Sequence, residues 1–196
     1  MEYKNKTNNL PKRKSHRLKE YDYGQYGYYF VTICTHNRKP LLSKIKIHTN
    51  SVNVGNDALV VPKTILTPLG KEILNCWYNI EKLNNNVKLD KFVIMPNHIH
   101  GIIIIKNANP IDPIDKKFGF EIAERRGRRS LQGLMKDFKS VTARIFKKLY
   151  CSDEPLWQKS FYDEILRSER QYQDIWKYID ANPLMWHLDD LYANDL

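Results

Sequence analysis

Along this chain, stretches in which apolar side chains recur at every second position give way to stretches in which they recur at every third or fourth. The change of period predicts an ordered series of strands and helices. The run YYFVTIC, Tyr28 to Cys34, follows Gly24 and Gly27 and is aromatic and β-branched, so it reads as a strand. Apolar side chains on both of its faces make it a central one. Residues 43 to 66 alternate loosely around Asn53, Gly55 and Asn56, as an inserted hairpin does. Pro68 opens a helix to about Leu83, with Ile73, Leu74, Trp77, Ile80 and Glu81 at helical spacing, and Asn84, Asn85 and Asn86 end it. Two strands follow, Lys91 to Met95 and His98 to Lys106, joined across Pro96 and Asn97, a pair suited to a tight reversal. A second helix spans about Ser130 to Leu149, its stripe formed by Leu131, Leu134, Met135, Phe138, Val141, Ile145 and Leu149. A short strand near Phe161 to Leu166 precedes a last helix, which Ser168 and Gln171 open as a capping box and Asn182 and Pro183 close.

Without the inserted hairpin the order is strand, helix, strand, strand, helix, strand, helix. It matches a ferredoxin-like α+β fold, an antiparallel sheet with helices packed on it, extended by one C-terminal helix. A length of 196 residues fits one such domain, residues 21 to 196, preceded by a basic arm over residues 1 to 20.

Charge sharpens this picture. The chain holds 32 Lys and Arg against 22 Asp and Glu, a net +10, which favours polyanionic partners such as nucleic acid. The excess is concentrated in the arm, which contains Lys12, Arg13, Lys14 and Arg17, and in residues 116 to 148. The latter include Arg125, Arg126, Arg128 and Arg129, then Lys136, Lys139, Arg144 and Lys147 off the apolar stripe of the second helix. Residues 180 to 196 carry four Asp and no Lys or Arg. Cys34, Cys76 and Cys151 are odd in number and share no close spacing, which indicates neither a disulfide framework nor a cysteine zinc site. The longest apolar run, Ile102 to Ile105, is too short to span a bilayer, and the N-terminus lacks an apolar signal region, so the expected location is the cytoplasm.

Two small constellations carry chemistry. In His98-Ile99-His100 both imidazoles point to one face of a strand, a geometry that can hold one metal ion. Two satisfied surface histidines are the simpler reading of an isolated pair. On the last helix Tyr172, Ile175, Trp176 and Ile179 share a face, and Tyr178 lies about 120° from its centre at 100° per residue. Asn182, four positions on, sits near the azimuth of Tyr178, so a phenol and an amide can reach one place together. Against this stands surface packing of Tyr178 and plain helix capping by Asn182.

The segment FVIMPNHIHGIIII resembles the HUH motif (His, hydrophobic, His) of single-tyrosine transposases, and the layout is similar to that of the REP-associated tyrosine transposases. Supporting stretches are SHRLKEYDYGQYGYYFVTICTHNRKPLL, SLQGLMKDFKSVTARIF, WQKSFYDEILR and YIDANP, in order from Ser15 to Trp186. Glu164 departs from the pattern, which has His there, and the hairpin at 43 to 66 is an addition. The resemblance implies that His98, His100 and Asn182 bind Mg²⁺ or Mn²⁺ and that Tyr178 is the nucleophile. It further implies a metal-dependent endonuclease and strand transferase that cuts single-stranded DNA beside hairpins through a covalent phosphotyrosine. The basic arm, the RRGRR run and the second helix are then DNA contacts. Whether the active form is a homodimer stays open. Two other readings compete: a non-catalytic DNA or RNA binder that stacks bases on sheet aromatics, and a zinc hydrolase built on the histidines.

Overall fold

The computed structural model describes residues 26–49, 60–106 and 130–192. Strands β1 (Gly27–Cys34), β4 (Val87–Ile94), β5 (His98–Ile105) and β6 (Tyr162–Leu166) form one antiparallel sheet in the order β4-β5-β1-β6. β2 (Ser43–Thr49) and β3 (Val60–Leu66) pair with each other as a separate antiparallel ribbon. The α-helices among the described residues are α1 (Pro68–Lys82), α2 (Leu131–Tyr150) and α3 (Glu169–Ala181). With the ribbon set aside, the connectivity and strand order are those of the ferredoxin-like fold, and β1 is central as its two apolar faces require.

Local chemistry sets the helix starts. Thr67 Oγ1 accepts from Gly70 N at 3.0 Å and Pro68 occupies the first turn of α1. Ser130 Oγ caps Gly133 N, and Ser168 Oγ caps Gln171 N. In the return arm of the last cap Arg167 N donates to Gln171 Oε1, one residue earlier than in a standard capping box.

The sheet separates two unequal cores. On one face α1 and α2 cover Tyr29, Val31, Ile33, Ile99 and Ile103, with fully buried Trp77 at the centre. A Cβ at Gly101 would fall 2.5 Å from the Trp77 ring, so that close approach requires glycine. On the other face α3 lays Ile179, with half-buried Tyr172, Ile175 and Trp176, over Phe30, Ile102, Ile104 and Leu166.

Two elements differ from their sequence patterns. β4 begins at Val87, four residues before the expected Lys91, because Val87 and Leu89 alternate with Lys88 and Asp90 on the half-covered edge of the sheet. A register shift between Leu89 and Phe92 breaks that period and hides it. On α2 the buried stripe passes through Thr142 and Phe146, while Val141 and Leu149 are exposed. Thr142 is buried because its hydroxyl accepts the Trp157 indole N–H at 2.8 Å, a pairing no apolar period reveals. Glu81 is exposed and its carboxylate accepts from Leu89 N, joining α1 to β4.

Candidate functional site

Strand parity sends one set of side chains from β1 and β5 toward α3. Thr32 pairs with His100 and Cys34 with His98 across the ladder, so these four share the face that Phe30, Ile102 and Ile104 occupy further along. The turn before His98 is held tightly. Met95 N donates to His98 O at 2.8 Å, Leu42 N to Pro96 O at 2.9 Å and Thr35 N to Asn97 O at 2.8 Å.

Both imidazoles are buried and oriented through Nδ1. His98 Nδ1 lies 2.8 Å from Asn97 Oδ1, and the amide of Asn97 donates to the carbonyls of Arg38 and Leu191. Asn97 Oδ1 is therefore an acceptor, Nδ1 of His98 bears the proton, and Nε2 keeps a lone pair. His100 Nδ1 lies 2.8 Å from Thr32 Oγ1. Such partners behind a histidine are the usual support of a metal-binding imidazole.

Tyr178, on the flank of α3 away from its apolar stripe, brings its hydroxyl to 3.1 Å from His100 Nε2. Its ring packs edge-on against Phe30. Asn182, at the C-cap of α3, is buried, and its amide donates to Asp189 Oδ2 at 2.8 Å. The sheet pair, the phenol and the carboxamide thus meet within one chain, and no second subunit is needed to complete the group.

Asp189 is the member that sequence reasoning missed. The chain after α3 doubles back, held by Arg38 Nη1 on Asp190 O and by Asn97 on Leu191 O. This places Asp189 Oδ2 3.9 Å from His98 Nε2 with a side chain only 4% exposed. Ligand atoms of His98, His100 and Asp189 all lie within 4.8 Å of one another. The acidic bias of residues 180 to 196 was the available signal. It did not single out one aspartate, because the return of the chain follows no helical or strand period.

The donor set fits a divalent cation. His98 Nε2 and Asn182 Oδ1 are buried without a hydrogen-bond partner, and both present lone pairs beside a carboxylate. Unpaired acceptors of this kind are costly unless a cation or water meets them. Mixed imidazole, amide and carboxylate donors suit Mg²⁺, Mn²⁺ or Zn²⁺.

Burial lowers the pKa of both histidines to about 3, so both are neutral and able to ligate at pH 7. For His98 the nearby Asn182 side chain opposes this shift and the charge of Arg38 adds to it. For His100 the neighbouring His98 adds to it and Asp189 opposes it. Tyr178 is pushed up to about 12, first by burial and then by the carboxylates of Asp189 and Asp190, while Asn182 pulls the other way. Without a cation nearby, the phenol keeps its proton.

An open cleft of about 1260 Å³ borders this group, with Thr32, His100, Glu164, Tyr178, Asn182 and Asp189 on its wall. Glu164 accepts from Tyr162 and Gln171 at 3.0 and 2.6 Å and so belongs to the cleft wall. Of two further tyrosines on this side of the sheet, Tyr172 donates to Asp90 at 2.6 Å, and Tyr162, also on the cleft wall, donates to Glu164.

The cationic residues are placed differently. Lys136, Arg144 and Lys147 stand on α2, which packs on the face of the sheet opposite the histidines, and Lys147 pairs with Asp153. Lys139 directs its ammonium to the carbonyls of Gln158, Lys159 and Ser160, beside the cleft. Lys12, Arg13, Lys14, Arg17, Arg125, Arg126, Arg128 and Arg129 lie outside the described residues. Among the described residues no helix is long and apolar enough to cross a membrane.

No protein-family model matches the chain. Solved structures similar to it include a REP-associated tyrosine transposase bound to a REP hairpin, at 16% identity and a TM-score of 0.48 over 93% of this chain and 90% of that one. A candidate transposase from Deinococcus radiodurans R1 is similar at 16% identity and a TM-score of 0.41, over 85% of this chain and 96% of that one. An uncharacterized protein of Haemophilus influenzae is 32% identical over 190 residues, which span 93% of this chain and 94% of its own. At that identity and coverage, the chain belongs to the same family as the Haemophilus influenzae protein.

Proposed function

We propose that this protein is a metal-dependent DNA nicking and joining enzyme of the transposase type, working in the cytoplasm on single-stranded DNA that carries a hairpin. The observation that carries the reading is the approach of the Tyr178 hydroxyl to 3.1 Å from the second histidine of the His-x-His pair. The HUH-like sequence and the two buried unpaired acceptors support it.

His98, His100 and Asn182 Oδ1, together with the Asp189 carboxylate, would hold Mg²⁺ or Mn²⁺. The chemistry supplied by a bound ion there is polarisation of a phosphodiester oxygen and neutralisation of the charge that develops on it. Asn97 and Thr32 hold the imidazoles with their Nε2 atoms toward the site. Asn182 holds Asp189, and α3 presents Tyr178 at the cleft wall. The Tyr178 oxygen attacks the phosphorus, a P–O bond to a deoxyribose 3′ oxygen breaks, and that oxygen leaves as a 3′-hydroxyl. The product is a phosphotyrosine that conserves the phosphodiester bond energy, so a second 3′-hydroxyl can reverse the step and join strands. An open cleft of about 1260 Å³ suits a polymer strand better than an enclosed small molecule. The basic arm over residues 1 to 20, the RRGRR run and the cations of α2 would add contacts to the DNA backbone.

The sheet offers little to the stacking alternative, since α3 covers Phe30, Ile102 and Ile104. The test is incubation with single-stranded hairpin DNA and Mn²⁺, followed by a denaturing gel. A covalent protein–DNA species is expected from the wild type and from no Tyr178→Phe preparation. An adduct that persists in Tyr178→Phe contradicts the assignment of the nucleophile.

A further inference from the structure

The β2–β3 ribbon is an addition to the resembled layout, and the chemistry of the cleft does not use it. Its register sets Lys46 directly opposite Lys63 and Lys44 opposite Ile65. Directly opposed residues of an antiparallel pair, and residues two apart on one strand, share a face. Lys44, Lys46 and Lys63 therefore stand together on one side of the ribbon, and all three are exposed. The other side is turned toward the body, where Ser43 is buried and Ile45, Pro62, Thr64 and Leu66 are half-buried. Neither strand contains an Asp or Glu, and among the described residues no hydrogen bond or ion pair reaches the three ammonium groups.

Like charges placed directly opposite each other weaken a strand pair. Lys46 against Lys63, with Lys44 beside them, is such an arrangement, and a polyanion along this face would reverse its sign. Cross-strand Cβ atoms about 5 Å apart and same-strand neighbours about 7 Å apart give a row dense enough to meet successive phosphates. A two-stranded antiparallel ribbon also has the width that the major groove of duplex DNA admits.

The ribbon is fixed at its root to the turn that sets the histidines. Leu42 N bonds Pro96 O, Ser43 Oγ bonds Ile94 O at 2.9 Å, and Thr67 N bonds Leu42 O. The contact is close: a Cβ on Gly70 would lie 2.0 Å from Leu42 O. A duplex held by the ribbon is thereby tied to the same end of the sheet as His98.

We infer that the Lys44, Lys46 and Lys63 face of the β2–β3 ribbon binds the phosphate backbone of the DNA duplex stem beside the cleavage site. The inference rests on the proposed nicking function for the identity of its ligand, and on the ribbon alone for its charge. The full chain, its Lys44→Ala/Lys46→Ala/Lys63→Ala variant and the corresponding triple Arg variant are titrated with a DNA hairpin, an RNA hairpin and an unpaired DNA strand across a salt series. The alanine variant is expected to bind the DNA hairpin roughly tenfold or more weakly at moderate salt. Its log–log salt slope is expected to fall by up to about 2.7, three phosphate contacts at about 0.9 each. The arginine variant should retain both, and the unpaired strand should lose much less.

Unchanged hairpin affinity and slope in the alanine variant overturns the inference. So does a loss confined to the RNA hairpin, or increased aggregation with full DNA affinity, which would assign the lysines to keeping the ribbon edges from pairing. Adduct formation is measured in the same samples. Absence of any adduct from the wild type, with the hairpin affinity still dependent on the lysines, counts against the nicking reading and leaves the ribbon as a stem-binding element.

Discussion

The two faces of the four-stranded sheet divide the work of the molecule. Under α1 and α2 the sheet meets a continuous apolar core in which Trp77 is fully buried and the Trp157 indole N–H is met by Thr142. Under α3 the apolar cover is small and stops at Phe30 and Ile102, giving way at once to His100, His98, Tyr178, Asn182 and Asp189. A single shift of parity along β1 and β5 separates the two environments: Val31, Ile33 and Ile99 point one way and Thr32, Cys34, His98 and His100 the other. One face supplies most of the burial that holds the fold together. The other carries the buried lone pairs of His98 Nε2 and Asn182 Oδ1.

That division can be broken by substitution. Trp77→Ala on the first face should cost about 3–5 kcal/mol of unfolding free energy, read by denaturant titration. A cost under about 1 kcal/mol would show that this face does not dominate. Acid should act on the second face. The folded histidines titrate near 3 and the unfolded ones near 6.5, so between those values the unfolded chain binds more protons. Stability is then complete above pH 6.5 and falls as the pH drops, by up to about 1.4 kcal/mol per unit for each imidazole. A His98→Gln/His100→Gln variant whose stability keeps the wild-type slope between pH 6.5 and 4 would remove the histidines as its cause. Thr142→Val leaves the buried Trp157 N–H without its acceptor and should cost about 1–3 kcal/mol, measured in the same way. Tyr178→Phe on the cleft wall should change stability by less than about 1 kcal/mol while abolishing the DNA adduct. A larger destabilisation would make Tyr178 a packing residue and blur the contrast between the faces.

The sequence makes the first face easier to read than the second. Pro68, the stripe from Leu131 to Phe138 and the cap at Ser168 are local patterns, and they locate the starts of α1, α2 and α3 to within a residue or two. His98 and His100 are legible because strand alternation fixes their common face, and Tyr178 because its azimuth leaves the apolar stripe of α3. Thr142 and Asp189 are not legible: each depends on a partner brought from a distant segment, Trp157 in one case and the Asn97–Asn182 pair in the other. The early start of β4 was hidden by the register shift after Leu89. The cations of α2 were visible as a basic block, but nothing in their spacing tells which face of the sheet their helix covers.

The central claim is that His98, His100 and Asp189, with Asn182, enclose one divalent cation beside Tyr178. Mn²⁺ titration of the full chain, followed by electron paramagnetic resonance, tests it directly. One bound ion per chain is expected, weakened at least about tenfold by His100→Ala or Asp189→Asn and left intact or tightened by Tyr178→Phe, whose hydroxyl no longer competes for His100 Nε2. Equal Mn²⁺ affinity in the wild type and in a His98→Ala/His100→Ala variant would contradict the account.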